Sequence, residues 1–112
     1  MKYIKQYEQN QLLKKGQFVI YDPIDYHENL YRKKFRDFNS FIMNNIGEVI
    51  ENNIYYYSVK YENYPPELKS FFDVFDGENI TGLNKKDNYI VSDNKEELEA
   101  LLNARKYNLW NI

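Results

Sequence analysis

The sequence predicts an α+β domain: a small antiparallel sheet with one helix inserted at about 30–45 and a second at the C-terminal end, at about 94–106. Three observations carry this. From Tyr55 to Glu62 the residues alternate, with Tyr55, Tyr57, Val59 and Tyr61 on one face and Tyr56, Ser58, Lys60 and Glu62 on the other. A period of two is the mark of a half-buried strand. Leu30, Tyr31, Phe35, Phe38, Phe41 and Ile42 instead recur near every 3.6 residues, and so do Leu98, Leu101 and Leu102. That is the spacing of amphipathic helices.

The chain has 112 residues, which suits one domain, since domains commonly hold about 100–150 residues. Twelve Tyr, seven Phe and one Trp must fill much of its core. The mean hydropathy of -0.80 reflects charge and abundant Asn, and such aromatic content excludes a disordered chain. The net charge of -2 marks no global nucleic-acid binder, but the charge is uneven. Residues 1–36 carry eight Lys or Arg against four acids, whereas residues 37–112 carry seven against thirteen.

Cysteine is absent, which excludes disulfides and thiolate metal sites and fits a reducing cytoplasm. No run approaches the roughly 18 apolar residues of a membrane span, so no membrane is expected as a partner. The stretch Met1-Lys2-Tyr3-Ile4-Lys5-Gln6 has no apolar core and predicts no secretory leader.

Taken in order, residues 1–15 read as an arm lying along a sheet edge, and Gly16 breaks it. Gln17–Tyr21 is the first strand, ended by Asp22-Pro23. The inserted helix is firmest from Lys33 to Asn44 and closes at Asn44-Asn45, because Asn tolerates the left-handed conformation that ends helices. Gly47–Glu51 and Tyr55–Glu62 form a hairpin. A three-residue loop at Asn52–Ile54 would set Val49 beside Tyr57 and Gly47 beside Val59, with Gly47 marking a bend. Pro65-Pro66 stops the pairing and opens a short helical turn to Phe72. Asp76-Gly77 is a turn signal, Asn79–Asn84 and Asn88–Ser92 are short strands, and Asp93 caps the last helix. Residues 106–112 carry no clear pattern.

The frame Lys15-Gly16-x-x-Val19-Ile20, Asn44-Asn45-Ile46-Gly47-x-Val49-Ile50 and Tyr57-x-Val59-Lys60-Tyr61-Glu62-x-x-Pro65 is similar to SH3-like barrels of the KOW type. More closely, it resembles small proteins encoded by phages and large viruses. The resemblance spans roughly residues 14–72. It implies a small SH3-like antiparallel barrel and a viral accessory role acting in the host cytoplasm, and it implies no catalytic motif.

The chemistry-bearing residues are few. His27, the sole histidine, could act as a general base beside a carboxylate, but its polar segment predicts a solvated surface residue. Asp73–Glu78 looks superficially like a calcium loop but puts Phe75 at a ligand position and Gly77 one place early. No phosphate loop or nucleophile elbow occurs. The expectation is therefore no enzyme, no cofactor and no metal. Tyr56, Ser58, Lys60 and Glu62, turned outward on the hairpin, are the candidate protein-binding face, because Tyr is enriched at interface cores. Arg32, Lys33, Lys34 and Arg36, interleaved with Tyr31 and Phe35, are the alternative: a nucleic-acid-binding helix that grips phosphates while a ring stacks on a base.

Overall fold

A computed structural model describes residues 5–7, 12–73 and 79–110. Its strands are β1 (Lys5–Tyr7), β2 (Phe18–Tyr21), β3 (Gly47–Asn52), β4 (Tyr56–Lys60), β5 (Ile80–Asn84) and β6 (Tyr89–Ser92). Helix α1 (Lys33–Asn44) lies between β2 and β3, and α2 (Lys95–Trp110) follows β6. The strands form one antiparallel sheet in the order β1-β6-β2-β3-β4-β5. Five of them, β2 to β6, make its body, and the three-residue β1, part of the arm expected along a sheet edge, pairs with β6. The α+β class and the two helices stand, although α1 begins at Lys33 and Leu30, read into it from sequence, belongs to a separate 3-10 turn, Glu28–Leu30. Among the described residues no ladder joins β1 to β5, so the sheet is open and not the closed barrel that the resemblance implies. No described helix is long and apolar enough to cross a membrane.

The hairpin keeps its buried face by a route the alternation alone does not reveal. The Asn53 N–H bonds the Tyr56 carbonyl at 3.0 Å, so the turn holds only Ile54 and Tyr55. Asn52 then faces Tyr57 and Glu51 faces Ser58, but Val49 faces Val59 and Glu48 faces Lys60. A bulge between Val49 and Glu51 absorbs Ile50. A two-residue turn without it would put Glu48 inward; the extra residue restores the alternation. The three-residue loop and the Val49–Tyr57 register are thus corrected, and Tyr55 leaves the ladder to stand 84% exposed in the turn.

Gly47 pairs with Val19 of β2. A Cβ there would lie 2.4 Å from Val59 Cγ1 and 2.5 Å from Tyr61 Cζ. Close approach of two buried side chains, rather than a bend as such, requires this glycine.

Each face of the sheet has its own core. On one, Val19, Val49, Tyr57, Val59, Tyr61 and Leu83 pack with Ile42 of α1 and with Leu68 and Phe72. Rings knit this layer: Phe38 stacks on Phe71 at 4.6 Å and Tyr64 on Phe72 at 4.4 Å. The 3-10 helix Pro66–Phe71 supplies Leu68 and Phe71, with Pro66 early where its missing N–H matters least. On the other face Ile20 and Ile90 meet Leu98 of α2, flanked by Phe18, Ile46, Leu101 and Leu102.

The helix ends differ from the sequence reading. Asn45 is extended (φ -135°), not left-handed, and α1 closes because Asn44 and Asn45 donate through Nδ2 to the Ser40 and Phe41 carbonyls at 2.7 and 2.9 Å. At α2, Asn94 Oδ1 accepts the Glu96 N–H at 2.9 Å, whereas Asp93 accepts from Gln17 Nε2 at 3.2 Å. Asn94 is the cap and Asp93 a tether between the β6 end and the strand-opening turn. Helix α2 also runs on through Trp110, past the expected end near residue 106. The Asp76-Gly77 turn and most of the calcium-like segment lie outside the described residues.

Candidate binding groove

The outer face of the β3–β4 hairpin is only partly covered by α2, and a groove of about 410 Å³ runs between them. Helix α2 is set by Leu98 pressing on Ile20 and Ile90. Lys95, Glu99, Asn103 and Lys106, which follow one another at three- or four-residue spacing along one stripe of the helix, form one wall. The opposite wall comes from Glu48, Lys60, Glu62 and Asn63. Phe18, Ile46 and Leu102, each half-buried, give the groove an apolar floor. Asn63 holds a left-handed φ of 58°, which Asn adopts more readily than most residues, and turns the chain away after β4.

Charge is the unusual property of this groove. Glu48, Glu62 and Glu99 face it together with Lys60, Lys95 and Lys106. None of these six has an opposite charge within 4.0 Å among the described residues. Even Glu48 and Lys60, cross-strand neighbours, do not meet. Arg105 alone of the lining charges is paired, 3.6 Å from Asp22. Three carboxylates and three ammoniums thus stand around an apolar floor with their hydrogen-bonding capacity turned to solvent.

The four expected protein-binding residues divide. Lys60 and Glu62 line the groove. Ser58 does not reach the surface: it is buried, and its Oγ accepts from Asn53 Nδ2 at 2.7 Å, tying the turn to the strand. Tyr56 is half-buried opposite Asn84. Pairing with β5 on one flank and the bulged β3 on the other explains why an outward position is not an exposed one. The α2 wall was not singled out from sequence, although the Leu98, Leu101 and Leu102 stripe already fixes which positions flank it.

Arg32, Lys33 and Lys34 are exposed, as are Tyr31 and Phe35, while Arg36 is half-buried with its Nε enclosed and without a partner. Lys33 pairs with Asp37 at 2.8 Å. Tyr31 stacks on Tyr26 at 5.3 Å and Phe35 meets Phe71 edge-on at 5.4 Å, so each ring offers one side only. Arg32 stands at the N-cap without a side-chain cap bond, and the first turn has no acid. His27 is exposed. Among the described residues no three His, Asp or Glu side chains come together in a way that could hold a metal ion.

Within the larger core, Tyr21 of β2, Tyr57 of β4 and Tyr89 of β6 form a cluster of phenols. Tyr21 and Tyr89 sit 5.8 Å apart and Tyr57 and Tyr89 6.2 Å apart. Burial, reinforced by nearby Asp87, pushes the Tyr21 and Tyr89 hydroxyls well above the ordinary phenol range. The Asp87 carboxyl, hydrogen-bonded with Tyr21, is raised by its own partial burial, which outweighs that bond. Tyr89 donates to the Asn84 carbonyl at 2.6 Å, and Tyr57 Oη accepts from the Leu13 N–H at 3.3 Å. Tyr61 is also raised by burial, and its hydroxyl has no partner. The cluster fastens loops rather than opening to a ligand.

No protein-family model, curated protein or solved structure matches the chain.

Proposed function

We propose that this chain is a non-enzymatic protein-binding module, and that its contact surface is the groove between α2 and the β3–β4 hairpin. Its most natural setting is that of a phage or viral accessory protein that binds or inhibits a host protein; the sequence resemblance supports that half. An SH3-like kinship has further support in the strand plan, since β2 pairs with both β3 and the last strand β6 while β3, β4 and β5 form a meander.

One observation carries the binding reading: six unpaired charges of both signs surround an apolar floor. In water a groove of that kind keeps its ions solvated, and a small apolar ligand would have to strip them at a cost. A polypeptide bearing an apolar side chain flanked by both charges would satisfy them at once, and such complementarity gives specificity. Selection of a random peptide library on the immobilised protein tests this. Enriched sequences should share an apolar residue between an acid and a base, and Lys60→Glu should weaken them at least tenfold. Enrichment that is indifferent to Lys60→Glu and Glu99→Lys would overturn the reading.

A second reading, nucleic-acid binding through Arg32, Lys33, Lys34 and Arg36, is supported by the placement of these cations at the positive end of α1, where they disfavour the helix. It predicts micromolar affinity for a single-stranded oligonucleotide at low salt, with a slope flattened by Lys33→Ala and Lys34→Ala. Absence of binding removes it.

A further inference from the structure

The corner opposite the groove along the hairpin breaks local rules without repairing a contact. Two-residue hairpin turns favour Asn and Gly, whose backbones suit the twist, yet this one holds Ile54 and Tyr55. They are 81% and 84% exposed, the highest of the described large apolar side chains. The pairing of Tyr56 with Asn84 brings the β5–β6 turn alongside, and Lys85 Nζ lies 5.2 Å from the centre of the Tyr57 ring. The bond from the Leu13 N–H to Tyr57 brings in Leu12, itself 60% exposed. Exposed Ile54 and Tyr55 thus lie at the same end of the sheet as Lys85 and exposed Lys86, and exposed Leu12, Lys14 and Lys15 belong to the arm that the Tyr57 bond holds to this hairpin. Glu51 is the exposed acid nearest the turn in sequence, and Asp87 is engaged with Tyr21.

We propose that this corner docks on an anionic lipid surface, with Leu12, Ile54 and Tyr55 entering the headgroup boundary and the lysines meeting the headgroup charges. The shape favours lipid over a protein pocket or a nucleic acid. The exposed apolar side chains come from separate segments, so a yielding surface accepts them where a rigid pocket must match each. Two of the three are aliphatic and cannot stack usefully on bases. The neighbouring cations are all lysines, point charges that suit a diffuse anionic field, with no arginine fork for bidentate phosphate recognition. Apolar entry combined with several basic side chains is the usual composition of a peripheral membrane contact.

Co-sedimentation of the full chain with vesicles of phosphatidylcholine containing a quarter phosphatidylserine tests this, against pure phosphatidylcholine. Binding should require phosphatidylserine and fall at least tenfold between 50 and 500 mM salt, as roughly expected of screened charge. Ile54→Ser with Tyr55→Ser should reduce it at least tenfold while leaving the far-ultraviolet dichroism unchanged, since both side chains are free of the core. Lys60→Glu should leave it intact, which separates failure here from failure of the groove reading. No binding to anionic vesicles at low salt overturns the proposal. So does binding that survives the double substitution, or preferential capture of a single-stranded oligonucleotide by the same corner.

Discussion

Replacing Gly47 by alanine adds one methyl group where the structure leaves no room. The new Cβ would stand 2.4 Å from Val59 Cγ1, 2.5 Å from Tyr61 Cζ and 2.7 Å from Tyr61 Cε2. Carbon atoms rest about 3.5–4.0 Å apart, so something must move by more than about 1 Å. Neither neighbour yields easily. Val59 is β-branched, fully buried and held in ladders on both sides. Tyr61 is fully buried too, its ring edge-on to Phe41 and Phe72 at 5.8 and 5.7 Å. Overpacking by such groups costs about 1–3 kcal/mol, and two rigid obstacles place Gly47→Ala in the upper half of that range. For a domain near this size that is a fall in Tm of roughly 8–15 °C. Thermal melts followed by circular dichroism and urea unfolding give the change directly. Repeating Gly47→Ala in a Val59→Ala background should recover part of the loss, because one obstacle is gone. A Tm within about 2 °C of the parent would show that β3 does not approach Val59 and Tyr61 as described, and the strand register would fall with it.

Other outcomes follow from the buried polar groups and caps. Tyr21, Tyr61 and Tyr89 all favour the neutral phenol in the fold, so their contribution is intact below the ordinary phenol value near 10 and is lost as pH rises beyond it. Absorbance at 295 nm should therefore show three of the twelve tyrosines ionising only together with alkaline unfolding. Asp87 likewise favours its neutral form; relative to Asp87→Asn, the parent should be most stable below the usual carboxylate value near 3.8 and lose ground as pH rises past it, measured as the difference in Tm across pH 3–7. Asn94→Ala removes the α2 cap bond and should cost about 1 kcal/mol in urea unfolding, whereas Asp93→Ala, which leaves the cap, should cost less.

How much of this was legible depended on the range of the interaction involved. Periodicity found the firm part of α1, Lys33 to Asn44, and the buried stripe of α2, because each depends on side chains three or four apart; Leu30 and Tyr31, read into the same stripe, lie before the helix and are exposed. Tyr57, Val59 and Tyr61 were recognisable as core for the same local reason. The register of the hairpin was not, since an absorbed Ile50 and a longer turn leave the same alternation in sequence. The caps were visible as Asn and Asp residues, but which of them closes α2 depended on Gln17, some 76 residues away, taking Asp93. Among the site residues, Lys60 and Glu62 were found because they continue an alternating strand past its buried part. Ser58 obeyed the same alternation and was misplaced, because burial of the outer face comes from neighbouring strands. The α2 wall needed knowledge of where that helix docks.

The two cores are unequal, and this ranks the molecule's motions. The larger layer ties α1, the 3-10 helix and five strands together through interlocked rings. By contrast, α2 is fastened by Leu98, its two half-buried neighbours, the Ser92–Glu97 bond at 2.8 Å and the partly exposed Arg105–Asp22 pair. Elements with few buried apolar contacts open at lower free energy than the global transition. Helix α2 is therefore the first long element to lift, and it is also one wall of the groove. The width of the cleft is thus a thermally sampled quantity, and amide exchange along α2 reads out the same equilibrium that any occupant must share.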